Sequence, residues 1–170
     1  MNISDMRDPA ARLGLLGGVQ AAITAAAAGD NTAVNSRELD RRSGIGLDAE
    51  NLIVTVQAQA VLAAGKTLTV PVRIQHTDDD DFNTANNVTT KVLGTIVLTG
   101  VAVTGSTEET TRVYACHLGE LKNRVRLQIQ PDLNAVGTDT AIVAAVAIVG
   151  AKQHASGAPD PVNVSTPTAG

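Results

Sequence analysis

What this chain lacks narrows it first. Its 170 residues include no tryptophan, one tyrosine (Tyr114) and one phenylalanine (Phe82). A stacking platform for bases or sugars, which needs several flat aromatic faces, has almost nothing to be built from. There is a single cysteine, Cys116, so neither an intramolecular disulfide nor a cysteine-based zinc cage can form. An excess of positive charge is missing too. Thirteen Lys and Arg against seventeen Asp and Glu leave a net charge of −4, the wrong sign for gripping phosphates, and no direct nucleic-acid partner is expected. No stretch approaches the ~20 apolar residues of a bilayer-spanning helix, so no membrane partner is expected either. The small-residue run from Leu13 to Ala28 does not read as a signal-peptide core. Asp5 and Asp8 stand where cations belong, and Gln20 and Thr24 interrupt it.

What is present is aliphatic and small. With 44% hydrophobic residues and almost no aromatics, a core has to be assembled from Val, Ile, Leu and Ala, side chains that suit the thin layer between two sheets. The length suits one domain with extensions. Residues 1–48 read as an N-terminal arm and connector, 49–151 as the β domain and 152–170 as a Pro/Ser/Thr/Gly-rich tail. The Ala/Gly-rich leader 1–34 is compatible with a short helix or an extended arm. Asn35 to Asp48 is polar and charged, as a connector would be.

From Leu52 the pattern alternates. Leu52, Val54, Val56, Ala58 and Ala60 share one face, with Ile53, Thr55, Gln57 and Gln59 on the other. A turn at Ala63 to Lys66 leads into a second strand whose Leu68, Val70, Val72 and Ile74 face inward. Pro71 cannot donate to a ladder, which predicts an edge position or a bulge there. After a polar loop, Asp78 to Thr90, come strands over Val92–Thr99, Thr110–His117 and Arg124–Gln130. Gly100 to Val103 either continues the third strand or turns, and Ser106 to Glu109 is read as a turn. Pro131 ends the last of these strands. Thr140 to Gly150 is apolar on both faces, as a central or interface-covered strand would be, with a buried helix as the alternative.

Chemistry is sparse. Asp78 to Asp81 could offer oxygen ligands to a hard cation, but four consecutive carboxylates diverge and lack the spacing of an EF-hand loop, so a solvated turn is the better reading. His76, His117 and His154 belong to no metal motif. Cys116 and His117 are strand neighbours whose side chains point to opposite faces, so they do not form a dyad, and Cys116 suits packing. Gly44-Ile45-Gly46 lacks the rest of a dinucleotide fingerprint. No catalytic residue, cofactor or metal is expected, and the chain is not expected to be an enzyme. Arg37, Arg41, Arg42, Arg124 and Arg126 read equally as solvated charges or as ionic contacts to a partner, since a guanidinium pairs in a bidentate way with carboxylates.

Four segments carry a resemblance: Gly65-Lys66-Thr67-Leu68-Thr69-Val70-Pro71-Val72, Gln75-His76-Thr77-Asp78-Asp79-Asp80-Asp81-Phe82, Leu93-Gly94-Thr95 and Val125-Arg126-Leu127-Gln128. In this order they resemble the small jelly-roll cement, or decoration, proteins on the heads of tailed bacteriophages, over roughly Leu52 to Ala151. The resemblance implies an all-β jelly-roll sandwich of two antiparallel sheets, assembled as a homodimer or homotrimer. It further implies binding to the major capsid protein on the outer surface of the phage head, and no active site. The arms 1–48 and 152–170 would then reach between subunits, and the two-faced strand, through Ile142 and Val146, would form the oligomer contact. A phage tail or fibre component contacting the host, and a calcium-dependent carbohydrate-binding module, are the alternatives. The shortage of aromatics weighs against both.

Overall fold

A computed structural model describes residues 13–27, 29–42, 49–83, 87–134 and 137–151. The Gly44-Ile45-Gly46 connector, His154 and the tail 152–170 lie outside the described residues. Ten strands are present among the described residues: β1 (Leu13–Thr24), β2 (Val34–Asn35), β3 (Leu39–Asp40), β4 (Ala49–Leu62), β5 (Thr67–Thr77), β6 (Thr89–Thr99), β7 (Ser106–His117), β8 (Arg124–Ile129), β9 (Asp132–Leu133) and β10 (Thr140–Ala151). They form two antiparallel sheets. Sheet A has the order β1-β10-β4-β7, and sheet B the order β2-β8-β5-β6, with β3 also on β8 and β9 also on β5.

The pairing is nested. β1 pairs with β10, β2 and β3 with β8, β4 with β7, and β5 with β6, so the chain is one long hairpin rolled upon itself. That is the jelly roll, an all-β sandwich of two Greek keys. Alternation drives it. Leu52, Val54 and Val56 of β4 and Val143, Ala145 and Ala147 of β10 point inward from sheet A, and Leu68, Val70, Val72, Ile74, Val125, Leu127 and Ile129 meet them from sheet B. All are at most 1% exposed, and each large one contributes about 1.5–3 kcal/mol by leaving water. Tyr114 closes one side of this aliphatic layer by lying over Gly94 of β6, where a Cβ would come within 2.5 Å of its ring.

Several expectations are corrected. The sandwich begins at β1, not at residue 49. Of the two readings of the leader, extended chain is found over Leu13–Thr24, but it is a paired strand, with Leu16, Val19, Ala21 and Ile23 in the core. The connector after Asn35 includes β3, which lies along β8. The backbone Ser36 N–H donates to the Leu127 carbonyl at 2.8 Å, the Leu127 N–H to the Ser36 hydroxyl at 2.9 Å and the Arg41 N–H to the Asn123 carbonyl at 2.8 Å. Ser106 opens β7, and the turn comes earlier, at Val101 to Gly105. Pro71 sits in the interior strand β5, not at an edge. Its carbonyl accepts from Gln130 N–H, so its missing donor faces the break between β8 and β9, where no ladder bond is demanded. The expected bulge lies next to it, as a register shift between Val72 and Arg73. Thr140–Ala151 is strand rather than helix, in the interior of sheet A.

Candidate functional site

Two charge-poor surfaces stand out. The first is the outer face of sheet A. Burying Val143, Ala145 and Ala147 turns Ile142, Val146 and Ile148 outward, because side chains alternate along a strand. Register then builds a patch: Ile148 lies beside Ile53 of β4, and Val146 beside Thr55, which neighbours Val113 of β7. Ile142 is 49%, Ile53 48% and Val113 65% exposed, values far above what a core position shows. The exposed outward positions of β1, β10 and β4 carry no Lys, Arg, Asp or Glu, and the first charge met is Glu109 on β7. A solvated antiparallel face is ordinarily polar. Gln20, Gln57, Gln59 and Glu109 line a shallow depression beside Ile142 and Ala144. The structure thus brings Ile142 and Val146 together on one face. Ile53 and Val113 complete the patch unannounced, since each is a lone apolar residue among Thr and Gln until register makes them neighbours.

The second surface is the β6–β7 turn. Val101, Ala102 and Val103 project at one end of the sandwich, with Val103 86% exposed. The turn is held from beneath. The Gly100 N–H donates to the Lys66 carbonyl at 2.9 Å, the Val101 N–H to the Ser106 hydroxyl at 3.0 Å and the Gly105 N–H to the Val101 carbonyl at 2.9 Å.

The arginines are engaged within the chain. Arg42 pairs with Asp40 and Asp80, both at 3.1 Å, and Arg124 with Glu38 at 3.2 Å and Asp40 at 3.5 Å. Arg42 holds the Asp40 carboxyl below the usual carboxylate range, chiefly by hydrogen bonding. Arg41 donates to the Leu121 carbonyl. Arg126 donates to Gln75 at 2.8 Å and stacks its guanidinium 4.3 Å from the Phe82 ring centroid. Arg37 lies exposed, and of the five it alone makes no contact of this kind among the described residues. The acidic loop is therefore tied down at several separate points. Asp78 accepts from the Asn123 N–H, Asp79 from the Asn87 N–H, Asp80 from Arg42 and Asp81 from the Asn83 N–H. Its carboxylates point at different partners, and among the described residues no three His, Cys, Asp or Glu gather as a metal-binding group. Phe82 is buried beneath Arg126 and Tyr114 is half-buried, so neither aromatic offers an open face.

Cys116 is buried, and burial pushes its thiol above the ordinary value, as suits a packing residue. His76 is 7% exposed and its Nδ1 accepts the Lys122 backbone N–H at 3.3 Å, a bond that needs neutral imidazole. Burial, then the Lys122 charge, lowers its pKa below 6.5. The unfolded chain thus binds a proton more readily as pH falls through 6.5, and stability present above that value declines below it. Thermal midpoints at pH 7.5 and 5.5 are expected to differ more for the native chain than for His76→Gln. An equal difference in both would remove His76 as the cause.

No protein-family model and no curated protein sequence matches the chain. Among solved structures it is similar to that of the infectious bursal disease virus Gt strain, with 11% identity over 82% of this chain and a TM-score of 0.42. It is similar also to Eiger TNF from S. frugiperda, at 10% identity over 82% of this chain and 97% of the other, with a TM-score of 0.39. A third likeness is to the CBM22-1–GH10 modules of Clostridium thermocellum xylanase 10B, at 15% identity over 85% of this chain and a TM-score of 0.38. The chain spans 33% of the bursal disease virus chain and 27% of the xylanase chain. With TM-scores below 0.5, these likenesses carry no functional argument, which rests on the residues of this chain.

Proposed function

We propose that this chain is a structural protein of a phage virion, a cement or decoration protein that binds the outside of the head and braces the major capsid lattice without catalysis. The observation that carries this reading is the Val101-Ala102-Val103 tip, an apolar and uncharged projection pre-organised by hydrogen bonds from Gly100, Val101 and Gly105. A rigid tip loses little conformational freedom on docking, so even a small contact retains its binding energy. Repeated around a symmetric shell, many such contacts add up through multivalency. The segments that resemble cement proteins support the same reading. They fall on β5, its following loop, β6 and β8, so the resemblance is concentrated in sheet B and leaves the tip and sheet A free to differ.

Purified chain incubated with empty heads lacking it should co-sediment with them, and Val101→Asp with Val103→Asp should reduce the bound fraction about tenfold or more while the thermal midpoint holds. Undiminished attachment of the double variant would remove the tip from the interface. No attachment of the native chain would remove the capsid reading itself.

A carbohydrate-binding module is the second reading, favoured by the depression lined by Gln20, Gln57, Gln59 and Glu109. Calorimetric titration with calcium and soluble glycans tests it directly, and heat of binding there would displace the capsid reading.

A further inference from the structure

We propose that two copies of this chain associate through the outer faces of their A sheets, about a two-fold axis, burying Ile142, Val146, Ile148, Ile53 and Val113 at the contact. The inference is independent of the capsid reading, since its test uses the isolated chain.

Three observations favour a second copy as the occupant. The first is charge. The chain is 18% charged, yet β1, β10 and β4 place no charged residue at an exposed outward position. Depletion of charge at the centre of a surface is the compositional mark of a protein interface. A partner of opposite charge would be met by a cluster of complementary charge, and the outward face offers only Glu109, on β7. Two molecules that each carry a net charge of −4 limit like-charge contact by meeting where charge is sparse.

The second observation is size. Four strands at about 4.8 Å spacing, each of 12 residues or more rising about 3.3 Å, present a face of roughly 760 Å². A standard stable interface needs about 800 Å² per partner, so the face is of the right order by itself. Sheets stack face to face at about 10 Å, with their strand directions within about 30°, and a second copy offers the same twist and the same flat shape.

The third is self-complementarity. An isologous interface requires a surface that suits itself. Gln57 and Gln59 stand near the middle of the face, between the Ile148/Ile53 row and Val61. Each amide carries donors and an acceptor, so the same side chain from two copies can pair across the axis. Apolar rows beside them supply the burial.

Sedimentation velocity over a concentration series tests the proposal. The native chain is expected to sediment as a monomer–dimer system. Val146→Arg should weaken association on the order of a hundredfold or more, because the axis brings like charges together without water. Should that variant lose its native circular dichroism, Thr55→Lys, at an exposed position beside Val146, takes its place. Val97→Arg on β6, 58% exposed and outside sheet A, should leave the dimer intact. Loss of association in the sheet A variant alone supports the two-fold contact. A native chain that stays monomeric, with the face covered by its own termini or kept for another partner, overturns the proposal. So does a trimer, a dimer that survives Val146→Arg and Thr55→Lys, or one that Val97→Arg disrupts equally.

Discussion

A chain beginning at residue 25, and so lacking β1, is expected to fail to fold cooperatively. β1 contributes Leu16, Val19, Ala21 and Ile23 to the core, all at most 7% exposed. At about 1.5–3 kcal/mol for each of the three larger side chains, their loss alone removes roughly 4.5–9 kcal/mol. Domains of this size are stable by about 5–15 kcal/mol in total. The ladder adds to the effect: β1 pairs with β10 from Leu13↔Gly150 to Thr24↔Thr140, and without it β10 becomes a long, apolar, unpaired edge. Such an edge invites aggregation. Urea unfolding followed by circular dichroism should show no sharp transition for the truncated chain, and a synthetic peptide of residues 13–24 should partly restore one by strand addition. A truncated chain with a native-like midpoint would mean that β1 is dispensable, contrary to its pairing and burial.

The second large effect is expected at Gly105. Two glycines share nearly the same left-handed backbone, Gly65 at φ +67° and Gly105 at φ +71°. Around Gly65 a new Cβ would meet nothing within 4 Å, whereas at Gly105 it would sit 2.4 Å from the Leu62 carbonyl oxygen and 3.1 Å from the Ala63 backbone. Gly65→Ala should therefore cost about 1 kcal/mol for its conformation alone. Gly105→Ala adds a backbone collision that neither strand end can relieve by rotating a side chain, and should cost about 3 kcal/mol or more. It should also loosen the Val101–Val103 tip above it. Matched urea curves check the ranking, and equal losses at the two sites would show that the turn beneath the tip is compliant.

How far the residues alone reach is clear from particular strands. β4, β5 and β8 announce themselves because each has an unbroken apolar/polar alternation and a one-sided environment, as in Leu52 to Ala60. β1 hides its alternation. The register shift between Leu15 and Gly17 inserts an extra residue, so that Leu16 and Gly17 are both buried and the phase of the pattern changes before Val19. β2, β3 and β9 are two residues each, too short for any period, and owe their geometry to β8 and β5. Pro71 misleads for a related reason. The rule against proline in interior strands concerns an unmet hydrogen bond, and here the neighbouring strand is interrupted at that point. At the surface, Ile142 and Val146 are legible because their own strand is apolar on both faces. The arginines are legible as charges but not as partners. That Arg42 and Arg124 converge on Asp40 and Asp80, some forty residues apart, is a product of the roll and not of local sequence.

The nested pairing also governs how this chain comes to be folded. The innermost pair, β5 with β6, needs only a short loop to close, while β1 must wait for β10, with nearly the whole chain between them. Each successive layer of the roll closes a longer loop than the last, so the reward for early contacts is small and the outermost pair is the slowest to form. On the ribosome β1 emerges first and is completed last. Until Thr140–Ala151 has left the exit tunnel, it holds its apolar face exposed with no partner, and the rate of synthesis sets how long that vulnerable interval lasts.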